Sequence, residues 1–163
     1  MATTQILRTL SIHLQAGKEC IVTDREPGEE LSQSYTAGAP LVRDASTKEL
    51  EEWAGTTDAK LPVGIAVGAA SGTAGTTVQY YEASDINVFE GSLINATSAY
   101  VLLGTEVGVA YSLINSGDNW YIDINDVTTK LVEVIGLIDA VGDTNPRVKF
   151  RFIGSKQANV LQS

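Results

Sequence analysis

Near the start of the chain apolar and polar positions alternate: Ile6, Leu10, Ile12 and Leu14 share one face, with Arg8, Ser11 and His13 mostly set against it. That period of two predicts a half-buried strand. Ala16 and Gly17 read as a turn, and Lys18 to Thr23 as a second short strand. The polar, acidic stretch 24–34 (DREPGEELSQS) is broken by Pro27 and Gly28 and predicts an exposed loop. A turn over 37–40 leads into Leu41-Val42-Arg43-Asp44. The next stretch, 46–53 (STKELEEW), fits either one or two helical turns, with Ser46 as cap and Glu49 at the capping-box position, or a strand.

From Leu61 onward the elements shorten and the turns become glycine-rich. A small-residue strand over 62–67 (PVGIAV) runs into the hairpin tip 68–76 (GAASGTAGT), and Thr77 to Glu82 returns. Further strands fall at 99–103, 110–114, 119–124, 130–141 and 147–153, separated by Gly104, Gly108, Ser116-Gly117 and the run 142–146. Stretch 130–141 (KLVEVIGLIDAV) is long enough for a helix. Its β-branched Val132, Val134 and Ile135, with Gly136 in the middle, favour a long, bulged strand instead.

The expected fold class is therefore all-β: short antiparallel strands forming one or two small β-barrel or β-sandwich modules, tulip-like in outline, with at most one or two short helices. The expected division is an N-terminal arm or edge strand over 1–14, a β-rich module over 15–88, a second barrel-like module over 89–154 and a tail over 155–163, with the break near 85–91.

Composition narrows the chemistry. In 163 residues, 20 acidic side chains against 11 basic ones give a net charge of −9. That charge argues against nucleic acid, whose binding draws on clustered Lys and Arg. The start, MATTQILRTLSIHLQAG, is interrupted by Arg8, Ser11 and His13 and does not read as a secretory signal, and no run approaches a membrane span. The expectation is a protein made in a cytoplasm, with no membrane partner.

Candidate reactive groups are few. His13 and Cys20 are each the sole residue of their type, too few for an ordinary zinc or iron site or an internal disulfide. The glycines at 64, 68, 72 and 75 are spaced as turn residues, with no Lys-Ser/Thr following as a phosphate loop requires. The acidic groups Glu26/Glu29/Glu30 and Glu49/Glu51/Glu52 read as solvated charged faces without a setting that would raise a pKa. Segment 118–126 (DNWYIDIND) lacks the central Gly of a calcium loop, and Val134 stands where its closing Glu belongs. Hairpin chemistry is the simpler reading, with 115–118 (NSGD) at the tip and Trp120 and Ile122 facing one way. No catalytic residue, metal ligand or cofactor site is expected.

Two segments carry a resemblance. Gly64 to Ser84, preceded by 39–44 (APLVRD), is similar in style to the β hairpins of the capsid decoration, or cement, proteins of tailed bacteriophages. The run from Asn119-Trp120-Tyr121-Ile122-Asp123 through Val132, Val134 and Gly136 to the turn 139–148 and the strand Phe150-Arg151-Phe152 resembles the closing module of such head proteins. Pro146 departs from it, standing where the turn calls for a glycine-like residue. The resemblance covers about two-thirds of the chain and brings no chemistry with it. It implies a non-enzymatic virion protein that binds the major capsid protein on the outer surface of an icosahedral shell, commonly as a homotrimer, and stabilises that shell. An edge strand can attach by main-chain hydrogen bonds, with Ile6, Leu7, Leu10 and Ile12 as anchors and Trp53 as a further interface residue. On that reading, removing residues 1–14 abolishes shell binding and leaves a folded protein. The competing reading is a carbohydrate- or receptor-binding β module of a tail or surface appendage that uses Trp53 or Trp120 as a stacking platform.

Overall fold

A computed structural model describes residues 1–12, 21–24, 27–55, 60–84, 87–126 and 128–153. Among them there are twelve strands and no helix. Five form one antiparallel sheet: β2 (Ile21–Asp24), β3 (Pro40–Arg43), β4 (Leu50–Glu52), β5 (Gly64–Ala66) and β6 (Val78–Glu82), in the order β2-β6-β5-β3-β4. The other seven are β1 (Ser11–Ile12), β7 (Phe89–Asn95), β8 (Ser98–Ala99), β9 (Ala110–Ser116), β10 (Asn119–Asp123), β11 (Val132–Leu137) and β12 (Arg147–Phe152).

The second sheet closes on itself. β7 pairs antiparallel with β12 through its first half and parallel with β10 through its second; β10 pairs β9, β9 pairs β11, and β11 returns to β12. The ring of five strands is a small barrel, which removes most free edges. β1 pairs with β7 at Phe89 and Glu90, on the side that faces β10, where Thr9 Oγ1 bonds the Trp120 backbone, and β8 turns back on the end of β7.

Side-chain alternation explains why this barrel fills. In β12, Val148, Phe150 and Phe152 point in while Arg147, Lys149 and Arg151 lie outward. Phe89 meets Phe150 at 5.5 Å and Phe152 at 5.4 Å between ring centroids, the second pair edge to face, a geometry that aromatic quadrupoles favour. On the outside, Arg151 Nη2 meets Glu133 Oε2 at 2.9 Å. The glycine in β11 marks a bulge, because the register with β12 shifts between Val134 and Gly136. The two sheets share one continuous core that runs from Leu41 and Ile65 to Phe150.

Of the two readings left open for 46–53 the strand forms, and two other local expectations resolve differently. The 46–53 stretch is a turn followed by β4, and Asp44 rather than Ser46 organises it. Asp44 Oδ1 accepts from the Ser46 N–H at 2.7 Å and the Thr47 N–H at 2.9 Å, and Lys48 takes φ +66°. This side-chain turn competes with the first turn of a helix and wins. The N-terminal alternation gives only Ser11–Ile12 as strand, the rest of 1–10 running along the barrel irregularly with one bridge from Thr4 to Thr144. In the 142–146 turn the left-handed residues are Gly142 and Asn145, at φ +95° and +54°, so Pro146 needs no glycine-like freedom. The Gly117-Asp118 hairpin tip stands as expected, both residues near φ +63°.

β7, which the sequence pattern did not single out, is the strand that closes the ring. Its Phe-Glu-Gly-Ser start breaks the apolar alternation because Gly91 must leave room for Leu10: a Cβ there would lie 2.7 Å from Leu10 Cδ2.

Candidate functional site

The N-terminal segment is strapped to the barrel. Thr3 N–H donates to Asp143 Oδ1 at 2.7 Å, the Gln5 amide to Asp143 Oδ2 at 3.0 Å, and Gln5 N–H to the Thr144 carbonyl at 2.7 Å. Those donors hold the Asp143 carboxyl below the usual carboxylate range. Farther along, Arg8 N–H donates to Ser92 Oγ at 2.9 Å, and the Arg8 carbonyl accepts from Ser92 N–H at 3.1 Å.

This placement separates the candidate anchors. Ile6 is 78% exposed and Leu7 39%, while Leu10 is buried at 1% and belongs to the core. Trp53 is likewise buried at 1%. Leu10 and Trp53 are therefore corrected from interface anchors to core residues, because a side chain already enclosed has no face to offer a partner. The Ile12 side chain, His13, Cys20, Glu26 and the tail 155–163 lie outside the described residues.

Beside the strapped segment is an exposed apolar ridge. Segment 101–103 runs against 142–144: Leu102 N–H donates to the Asp143 carbonyl, Gly142 N–H donates to the Leu102 carbonyl, and Val101 bridges Thr144. Leu102 is buried, so Val101 (46% exposed) and Leu103 (62%) turn outward, as alternation along an extended segment requires. Val141, also exposed, reaches the same place, since a Cβ on Gly104 would lie 3.0 Å from Val141 Cγ2. Val107 and Val109 stand on the loop that follows.

Glu106, which the sequence did not single out, fixes the loop. Buried at 1%, it accepts from Tyr100 Oη at 2.6 Å, Leu103 N–H at 3.0 Å and Gly104 N–H at 2.7 Å. Burial works to raise its pKa, but these donors prevail and hold it below the ordinary value. A buried, multiply bonded carboxylate rigidifies what it binds, so the ridge is presented in one conformation. The nearest sequence signal was a lone Glu between Gly104 and Gly108.

The acidic groups also differ from expectation. Glu29 is 2% exposed, and its carboxylate holds the loop after β5, accepting from Ser71 N–H at 2.9 Å and Gly72 N–H at 2.6 Å. Glu30, Asp44 and Glu51 each bring a carboxylate oxygen within 4.8 Å of the others. Lys60 Nζ reaches Asp44 at 3.6 Å and pairs with Glu51. A proton shared with Glu51 raises the Glu30 carboxyl above its usual range, and burial and the charges of Glu51, Asp44 and Glu49 push the same way. The solvated-face reading is thus corrected for Glu29, which hydrogen-bonded packing with the glycine-rich loop encloses, while Glu30 is half-buried beside β4.

A raised carboxyl pKa in the folded state means the folded form holds its proton more tightly than the unfolded chain. Its contribution is full below the unfolded pKa and is lost as pH rises through the folded one. Glu30→Gln is therefore expected to melt higher than the parent at neutral pH, and the gap is expected to close on acidification. Paired melting curves across that window check it, and a gap that persists or reverses at low pH contradicts the assignment.

Where the two sheets meet, Trp53 follows β4 and Trp120 lies on β10, with ring centroids 5.4 Å apart. Glu52 Oε1 accepts from Trp120 Nε1 at 2.7 Å, a direct bond between the sheets. At 1% and 3% exposure neither indole offers a face for a sugar ring, which removes the stacking platform of the carbohydrate reading. No family model and no curated sequence matches the chain.

Proposed function

We propose that this chain is a non-enzymatic structural protein that binds the outer surface of a bacteriophage icosahedral capsid and stabilises it, acting as a trimer on the major capsid protein. The observation that carries the reading is the exposed apolar ridge of Val101, Leu103 and Val141, mounted on a closed barrel. Clustered apolar exposure on a rigid support is what a protein-binding surface needs, and scattered single residues would not suggest it. The buried carboxylates support the same reading, since the bonds at Glu29 and Glu106 go to the loops they hold in place.

On a closed lattice each copy need contribute only a modest contact. A trimer that engages three sites at once gains effective concentration without new chemistry, and neighbouring shell subunits become cross-linked through it. Its place in this reading is the outside of the virion, after synthesis in the host cytoplasm.

The test is co-sedimentation of the purified protein with capsid shells, alongside light scattering of the free protein. Saturable binding to shells, with a solution mass three times that of one chain, is expected. A chain that leaves shells bare at every concentration contradicts the proposal.

A further inference from the structure

Ladder hydrogen bonds hold the strands of the barrel together, but the crest of the ridge is held by a side chain. Leu102 is fixed by 142–143, its N–H donating to the Asp143 carbonyl at 2.9 Å and its carbonyl accepting from Gly142 N–H at 2.8 Å. The next two residues bond to Glu106 instead. Its Oε1 accepts from Leu103 N–H at 3.0 Å and from Tyr100 Oη at 2.6 Å, and its Oε2 accepts from Gly104 N–H at 2.7 Å. Gly104 takes φ +88° and lies against Val141, so one carboxylate fixes both Leu103 and the point where the 101–104 segment meets Val141. These are the two most exposed side chains of the ridge. The three donors are neutral. Among the described residues the titratable side chains that face Glu106 are Tyr100 and, at longer range, Tyr111, and burial together with the Glu106 charge keeps both phenols protonated. Across the ridge, the Asp139 carboxylate bonds to Arg147, and that of Asp143 to Thr3, Gln5 and Ala140.

We propose that Glu106 is an acid-sensitive latch that sets the binding conformation of the ridge: as an anion it fixes Leu103 and Gly104, and on protonation it releases them while the barrel stays folded. A carboxylate accepts at both oxygens, whereas a neutral carboxyl presents a proton at one of them. In a site filled by three donors that proton meets a donor. The Tyr100 hydroxyl can rotate to take it, but a main-chain N–H cannot, and the bonds that remain are neutral and about half as strong. Burial works against the anion, yet its donors outweigh burial and hold the carboxyl below the ordinary value. The latch is therefore closed at neutral pH, and its contribution is lost as pH falls through the depressed folded pKa. The Phe89, Phe150 and Phe152 cluster does not depend on this proton, so release is local. The inference rests on the proposed function in taking the ridge as the attachment surface; the latch itself can be read in the free protein.

Residue-resolved amide hydrogen exchange of the full chain reports the latch at Leu103 and Gly104. It reports the barrel at Leu131 and Ile124, whose N–H groups donate to the Tyr111 and Ile94 carbonyls at 2.9 and 3.0 Å. Glu106→Gln is the neutral isostere and leaves the intrinsic exchange chemistry of residues 103 and 104 unchanged, so the ratio of variant to parent rates isolates the latch. At Leu103 and Gly104 that ratio is expected to be at least about tenfold at neutral pH, the scale of one lost charge-assisted bond, and to fall to about one below the carboxylate range. At Leu131 and Ile124 it stays near one throughout. Tyr100→Phe removes one donor and keeps the charge, and it carries the test by itself if Glu106→Gln fails to fold. Its Leu103 and Gly104 amides are expected to speed up at a higher pH than the parent's, because a carboxylate with fewer donors protonates more readily. A latch ratio near one at neutral pH, a ratio that acid does not close, barrel amides that accelerate in step, or a Tyr100→Phe profile that superimposes on the parent's overturns the proposal. Shell co-sedimentation is read separately, with Glu106→Gln expected to bind at least about threefold more weakly at neutral pH. Shells that take up this variant as well as the parent overturn the latch's role in binding, while a parent that leaves shells bare, with the exchange ratios as expected, overturns the shell reading alone.

Discussion

Leu10→Ala is expected to cost about 3 kcal/mol of folding stability, whereas Ile6→Ala, four residues earlier, changes it by less than about 0.5 kcal/mol. Leu10 is enclosed against Gly91 of β7, where the backbone has dispensed with a side chain to admit it. Its truncation leaves a cavity that the closed ring cannot collapse to fill. Ile6 meets solvent and has no such neighbours to lose. Chemical denaturation of both variants checks the contrast, and equal stabilities would contradict it. The same reasoning corrects the expectation that a chain lacking residues 1–14 stays folded. That deletion removes a core side chain, strand β1 and the hydrogen bonds to Asp143, Thr144 and Ser92, so its effect on shell binding cannot be separated from loss of the fold.

The cleaner probe of attachment is the ridge. Val101→Gln combined with Leu103→Gln is expected to weaken shell binding at least about tenfold, or roughly 1.4 kcal/mol per site, while the melting temperature stays within about 2 °C of the parent. Both side chains point away from the core, and the bonds that position them are made by main-chain groups and by Glu106. Apolar burial at about 25 cal/mol per Å² supplies an effect of this size when two such side chains are covered by a partner, and a trimer multiplies it. Undiminished binding by this folded variant moves the attachment surface elsewhere.

The sequence announced the elements whose patterns are local. The Asn-Ser-Gly-Asp tip and the alternating Arg-Val-Lys-Phe-Arg-Phe strand carry complete short-range signals and form as read, and the stretch expected as one long bulged strand over 130–141 keeps its bulge but is strand only from Val132 to Leu137. What stayed hidden depends on distant partners. β7 was missed because its Gly91 answers to Leu10, some eighty residues earlier in the chain, and its Ser92 to the Arg8 backbone. The period-2 face of the N-terminal segment was real for Leu10 but misleading for Ile6, since a strap held by Asp143 and Thr144 does not keep strand geometry along its length. Glu29 and Glu106 look like surface acids in the sequence. They are buried because loop N–H groups converge on them, and no spacing rule announces that convergence. The ridge was invisible for a related reason: Val101, Leu103 and Val141 become neighbours only when 101–103 and 142–144 lie side by side.

Cryo-electron microscopy of capsids assembled with and without this protein tests the central claim most directly. The account predicts added density on the outer surface at three-fold and quasi-three-fold positions, large enough for three copies of a barrel joined to a five-stranded sheet, with the Leu103 side of each barrel against the shell. Identical reconstructions from the two preparations, or density that meets the shell through a face remote from Leu103 and Val141, would contradict it.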